Sequence, residues 1–215
     1  KHDLGGIKIH SSDINNIKLI DNICNYKGEI LLGVGGTNVK EIKYILNYIN
    51  KHTTVVKNKV TIMHGYQSYP TKVDDTNLLR LKYFKELFPE YTYGISDHLS
   101  GDTLLSLVVP NVCQMENIKY VEKHVTIDRK LRGVDYYSSL SPKKLRTFVN
   151  LSKNINKAFG KQNSLLSEDE LKYRNNVKKS WVARKSLSEK TKINLDDFQM
   201  CRVENSPNTL DIEKY

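Results

Sequence analysis

The sequence predicts an α/β protein. Parallel strands with helical crossovers are expected over residues 1–160, and a small β-rich segment over residues 179–215. Three observations predict this. Short runs rich in β-branched and aromatic residues alternate with longer stretches of helical period, and repeated strand-then-helix units make successive strands parallel. Every predicted strand runs into polar or glycine-rich sequence at its C-terminal end. After Gly160 the alternation stops and the chain turns polar.

The first strand candidate covers residues 6–10 and precedes a helical pattern over 16–25. The second, 30–34, leads into 39–50, where Val39, Ile42, Ile45, Leu46 and Ile49 follow the 3.6-residue period of one helix face. A third strand at 60–64 precedes a helix at 76–88, and a fourth at 93–96 precedes a helix at 103–117. The fifth strand candidate is 119–127. A last helix, 142–159, opens on Ser141-Pro142, a capping residue followed by proline at the first helical position. Gly160 ends it. Five such units fit part of an eight-stranded barrel or a doubly wound sheet, and periodicity alone does not choose. Residues 161–178 read as a polar connector, and 180–184 and 198–203 as strands beyond it.

A hydrophobic fraction of 39% and a charged fraction of 27% fit a soluble globular chain. No apolar run approaches the roughly 18–20 residues needed to cross a bilayer, and residues 1–10 lack a signal-peptide core. The chain begins without methionine and reads as a cut through a longer protein. Cys24, Cys113 and Cys201 are far apart and form no CxxC pair, which points to free thiols in a reducing cytoplasm. Net charge is +10, with most of the excess after residue 140. A basic surface attracts nucleic acid, but Arg/Gly runs and RNP-like aromatic motifs are absent. Attraction for anionic substrates accounts for the charge as well, so neither nucleic acid nor membrane is expected as a partner.

In a β/α barrel the reacting groups gather at the C-terminal ends of the strands. Those ends carry Lys8, Ser11 and Asp13, then the glycines around Gly35, then His64 to Thr71, then Ser96 and His98, then Glu122 and His124. His98 and His124 end neighbouring predicted strands, and Glu122 shares a face with His124 because side chains alternate. Two imidazoles beside a carboxylate suit a divalent metal with open positions. A hydrogen-bonded strand rim would use the same residues, and spacing leaves both open. Lys8, Ser11, Ser96 and the glycine turn offer cations and donors for phosphate. His10 and His64 read as structural or supporting groups.

At these strand ends the sequence resembles the N-acetylneuraminate (sialic acid) synthase family, which includes the legionaminic and pseudaminic acid synthases. Lys8-Ile9-His10-Ser11-Ser12-Asp13-Ile14-Asn15-Asn16 is close to KIxSxD/E-xxN, and His64-Gly65-Tyr66-Gln67-Ser68-Tyr69-Pro70-Thr71 is close to HCxxxYPT. Glu122-Lys123-His124-Val125-Thr126-Ile127-Asp128 is close to EKHxTLD, with Gly133-Val134-Asp135 after it. The resemblance implies the C-terminal part of a (β/α)8 barrel, residues 1–160. It also implies the start of a small antifreeze-protein-like domain, residues 179–215, and a domain-swapped homodimer. The activity implied is condensation of phosphoenolpyruvate with an N-acyl hexosamine, giving a nine-carbon 2-keto acid and phosphate.

By the same resemblance His98 and His124 are ligands of a divalent metal, Mn2+ or Mg2+, and act with Asp13 as catalytic groups. Lys8, Ser11, Tyr69 and Ser96 surround phosphoenolpyruvate. Gln67, Glu122 and Asp135 are substrate-binding residues, Asp135 through the sugar hydroxyls, and Arg202 reaches the partner chain's sugar. Gln67 replaces the usual Asn, and Gly33 falls where a phosphate-binding Ser is common. Tyr136-Tyr137 follows Asp135 where His is more usual. These departures bear on which sugar is used more than on the reaction. Another metal-dependent phosphoenolpyruvate-condensing synthase is the nearest rival, and the first motif and appended small domain argue against it. A catalytically silent barrel used for binding is the other, against which stand His98, His124 and Asp135. With only five of eight strands, residues 1–215 alone are expected to be inactive.

Overall fold

The structure, a computed structural model, describes residues 4–24, 26–52, 59–161 and 165–203. The last residue of the first predicted helix (25), part of the connector (162–164) and the end of the β-rich segment (204–215) lie outside them. The chain divides into two compact units, Lys1–Phe159 and Gly160–Tyr215.

In the first unit, β1 (Gly6–Ile9), β2 (Glu29–Gly33), β3 (Val60–His64), β4 (Thr92–Asp97) and β5 (Tyr120–Lys123) form one sheet in the order of the chain. Every pairing is parallel. The crossovers contain α1 (Ile17–Ile23), α2 (Val39–His52), α3 (Leu78–Leu87) and α4 (Leu105–Val112), and α5 (Pro142–Ala158) follows β5 at a distance. One face of the sheet, carrying Ile9, Ile30, Leu32, Val60, Ile62 and Ile95, packs in a core with Ile42, Ile45, Leu46 and Ile49 of α2. Those four are the periodic residues of the sequence reading, each no more than 2% exposed. Alternation then turns Lys8, Thr61, Ser96 and Glu122 to the other face.

That second face is concave. In a flat sheet, four spacings of about 4.8 Å would hold β1 roughly 19 Å from β5. Instead the Lys8 ammonium meets the Glu122 carboxylate at 2.5 Å, and Tyr120 and Lys119 near the start of β5 both bond Glu29 of β2. The sheet is curled into a half-barrel.

β5 stops at Lys123, shorter than the predicted 119–127; beyond it a single parallel bridge, Val125 to Leu140, continues the pairing. The helix expected over 103–117 is α4 plus a 3-10 turn, Cys113–Glu116. Pro110, within α4, supplies no N–H for a longer helical ladder. α5 starts as expected, with the Ser141 hydroxyl accepting from the Lys144 amide and proline in the first turn.

The second unit contains α6 (Glu168–Val177) and the antiparallel pair β6 (Lys179–Ala183) and β7 (Phe198–Arg202). Helix α6 occupies the stretch read as a connector. Ser167 and Glu170 form a reciprocal capping box at its start, a signature that Ser-x-x-Glu carries in the sequence.

Candidate functional site

Near the C-terminal ends of β3, β4 and β5 three rings meet. The His98 and His124 centroids are 5.2 Å apart, and Tyr69 lies 4.4 Å from His98 and 5.5 Å from His124. His98 is 4% exposed. Its Nδ1 lies 2.7 Å from the Tyr66 carbonyl oxygen. A carbonyl only accepts, so Nδ1 carries the proton and Nε2 of the neutral ring keeps its lone pair. Burial, with the nearby His124, holds the His98 pKa below the ordinary range against the opposing Tyr66 bond. Asp135 stands 3.7 Å from His124 Nδ1.

The second part of the site is a charged relay across the half-barrel. Both Glu122 carboxylate oxygens accept from Lys8, and Ser96 Oγ donates to Oε2 at 3.1 Å. Burial pushes the Glu122 pKa up, but the Lys8 and Ser96 bonds and the Lys8 charge carry it below the usual value. Tyr69 donates to Gln67 Oε1 at 2.8 Å. Burial, then the Asp135 and Glu122 charges, raise its phenol pKa.

The structure thus brings Lys8, Gln67, Tyr69, Ser96, His98, Glu122, His124 and Asp135 into linked contacts. Ser11 and Asp13 sit in the 3-10 turn after β1. Ser11 is buried, and Asp13 accepts from Ser12 and Asn16. Gly33 is packed against that turn: a Cβ there would lie 2.9 Å from the Ser11 nitrogen and 3.1 Å from the Ile9 oxygen. The close approach favours glycine here, at a position where the resembling family commonly carries a phosphate-binding serine. Gly65 is under a similar constraint, 2.5 Å from the Ser96 carbonyl by the same measure. Arg202 is exposed at the end of β7 in the second unit.

Sequence reasoning missed several supporting groups. Asp97 and Lys123, one residue before each histidine, form an ion pair with side chains 1% and 4% exposed. Their neighbours in the motifs drew attention, but alternation turns this pair to the helix-facing side. The Ser138 hydroxyl donates to the His98 carbonyl at 2.7 Å, and the Leu140 amide to the His124 carbonyl at 2.9 Å. No local pattern announces such contacts.

For a divalent cation, the donor chemistry fits. His98 has its Nδ1 proton committed to a carbonyl, as metal-bound histidines commonly do, and a second imidazole lies beside it. Among the described residues no group of three or more His, Cys, Asp or Glu side chains is placed to hold a metal ion.

Fold and site define a β/α half-barrel protein with a cluster of polar side chains at the C-terminal ends of its parallel strands. The NeuB family pattern matches residues 1–164, and the chain belongs to that family. It is 32% identical over 181 residues to the N,N'-diacetyllegionaminic acid synthase of Campylobacter jejuni, covering 84% of this chain and 52% of that protein. The enzyme of the same name from Legionella pneumophila is 23% identical, over 91% of this chain and 54% of that protein. The crystal structure of an N-acetylneuraminic acid synthetase from Leptospira borgpetersenii, in complex with citrate, superposes with a TM-score of 0.67. Identity there is 28%, over 81% of this chain and 59% of that one. The chain spans about half the length of the curated relatives it matches.

Proposed function

We propose that this chain belongs to an enzyme that condenses phosphoenolpyruvate with an N-acyl amino sugar, giving a nine-carbon 2-keto acid and inorganic phosphate. The observation that carries the reading is the meeting of His98, His124 and Tyr69 beside the Lys8–Glu122–Ser96 relay. C3 of phosphoenolpyruvate forms the new bond to the sugar's aldehyde carbon. Water adds at C2, and phosphate leaves with cleavage of the C2–O bond. Lys8, with Ser11 and Ser96, offers the positive charge and hydroxyls that a phosphate ester needs. Phosphate would share Lys8 with Glu122, so substrate binding loosens a bond already made.

His98 and His124 would hold a divalent cation of the Mg2+ or Mn2+ kind, which supplies Lewis-acid polarisation of the carbonyl oxygen. Asp13 is the carboxylate assigned to proton transfer, and Asp135 and Gln67 to the sugar. The wider reading includes completion of an eight-stranded barrel, an antifreeze-protein-like second domain, a cytoplasmic location, and a homodimer in which Arg202 reaches the partner's sugar. What supports the second domain is the β6–β7 pair.

The test is phosphate release by the protein made from its full reading frame, with phosphoenolpyruvate and a panel of N-acyl mannosamines. Turnover is expected, lost on chelation and in His98→Ala, and partly restored when His98→Ala and Arg202→Ala chains are mixed. Turnover indifferent to chelator would remove the metal. A mixture no more active than its parts, despite proven subunit exchange, would remove the shared site.

A further inference from the structure

We infer that Arg129 is a positioning residue whose guanidinium holds the Asp135 loop against the two histidines. The inference rests on the proposed reading only for which substrate the loop meets. Arg129 opens the 3-10 turn Arg129–Leu131, and its side chain is 16% exposed. Nη1 donates to the carbonyls of Tyr136 at 2.5 Å, Tyr137 at 3.3 Å, and Ser139. Nη2 donates to Asp102 Oδ2 at 2.6 Å. One planar fork therefore gathers three carbonyls of a single loop and a carboxylate from the β4–α4 turn. A lysine ammonium has neither the reach nor the fixed geometry to serve all four.

What the loop carries explains why this matters. Asp135 has a positive φ of 57°, a left-handed conformation uncommon outside glycine but one that Asp tolerates better than most residues. Its carbonyl accepts from the Ser138 amide at 3.0 Å and the Ser139 hydroxyl at 3.0 Å. Ser138 and Leu140 then tie the loop to the backbone of His98 and His124. On the far side, Gly101 leaves room for the Ser139 carbonyl, where any Cβ would strike it, and Lys144 donates to the Gly101 carbonyl at 2.7 Å. The Tyr137 carbonyl also accepts from the Gly101 amide at 2.7 Å and the Tyr136 carbonyl from the Ser139 amide at 3.2 Å, but only the guanidinium joins all three carbonyls and Asp102 at one point. Without it the loop would open, and Asp135 would leave its place 3.7 Å from His124.

Two measurements test this on Arg129→Ala and Arg129→Lys. Hydrogen exchange on the full-length protein reads the loop without any substrate. The amides of Ser138, Ser139 and Leu140 are expected to exchange at least about tenfold faster in both variants while β3 and β4 stay protected. Guanidinium ion is expected to restore protection in Arg129→Ala but not in Arg129→Lys. Unchanged exchange in that loop overturns the inference. In the full-length enzyme, KM for the amino sugar should rise about tenfold or more with KM for phosphoenolpyruvate within about twofold. Equal loss for both substrates, or none, overturns a role at the sugar. An inactive wild-type protein would count against the proposed reaction, whereas the exchange result would still decide the loop.

Discussion

His64 is the last residue of β3, and its imidazole lies on the helix side of the sheet, edge-on to Phe84 and 4% exposed. Nε2 donates to the Thr76 carbonyl at 3.0 Å. Burial holds its pKa below the ordinary histidine value, outweighing the backbone bond that favours charge. In the unfolded chain the same ring takes a proton near pH ~6.5. Between the two pKa values the unfolded state binds more protons, so His64 contributes stability that is full above that pH and falls as pH drops. His98, also lowered by burial, acts in the same direction. Urea melts at pH 7.5 and 5.5 are expected to lose less midpoint in His64→Gln than in wild type. Equal losses would mean that His64 is not held neutral. The sequence placed His64, like His98 and His124, at the end of a predicted strand and read it as a structural or supporting group; which face its ring takes follows from the register of the sheet. Arg129 and Ser138 were not legible, because their partners are backbone carbonyls brought near only by the fold.

At the scale of elements, the ends of β4 and β5 are fastened by Asp97 and Lys123, register partners with a buried ion pair behind the pocket. Burial lowers the Lys123 pKa, and Asp97 opposes that shift. Removing one partner strands a buried charge. Lys123→Met is expected to cost about 3–5 kcal/mol, and Asp97→Leu with Lys123→Met to recover most of it. Denaturant unfolding of the two variants checks this, and a double variant no more stable than Lys123→Met would refute it. Strand and helix order came readily from periodicity, since apolar residues at helical spacing or in short runs leave few alternatives. Boundaries were harder. β5 was read too long because Val125 and Ile127 are β-formers, yet both are exposed once the pairing ends. Helix α6 was passed over because none of its residues is buried, which left its capping box, acidic first turn and basic last turn as signals inside a polar stretch.

For the whole molecule, the family pattern ends at residue 164, just past the first compact unit. The site residues from Lys8 to Asp135 all belong to that unit. Barrel and doubly wound sheet, which periodicity left open, differ in curvature, and curvature is a property of the assembled sheet. Strand order that equals chain order also sets a timetable. Each strand can dock on the one synthesised just before it, across a single crossover, at modest loop-closure cost. The Lys8–Glu122 bond instead spans 114 positions, so it cannot form until the last strand of the five-stranded sheet has been added. A bond of that kind belongs after the rate-limiting step. In stopped-flow experiments Glu122→Gln should therefore quicken unfolding and leave refolding unchanged; slowed refolding would put the contact in the nucleus. Lys8 meets its counter-charge only once β5 has been added, so any arrest of synthesis before β5 yields a sheet without the Lys8–Glu122 bond.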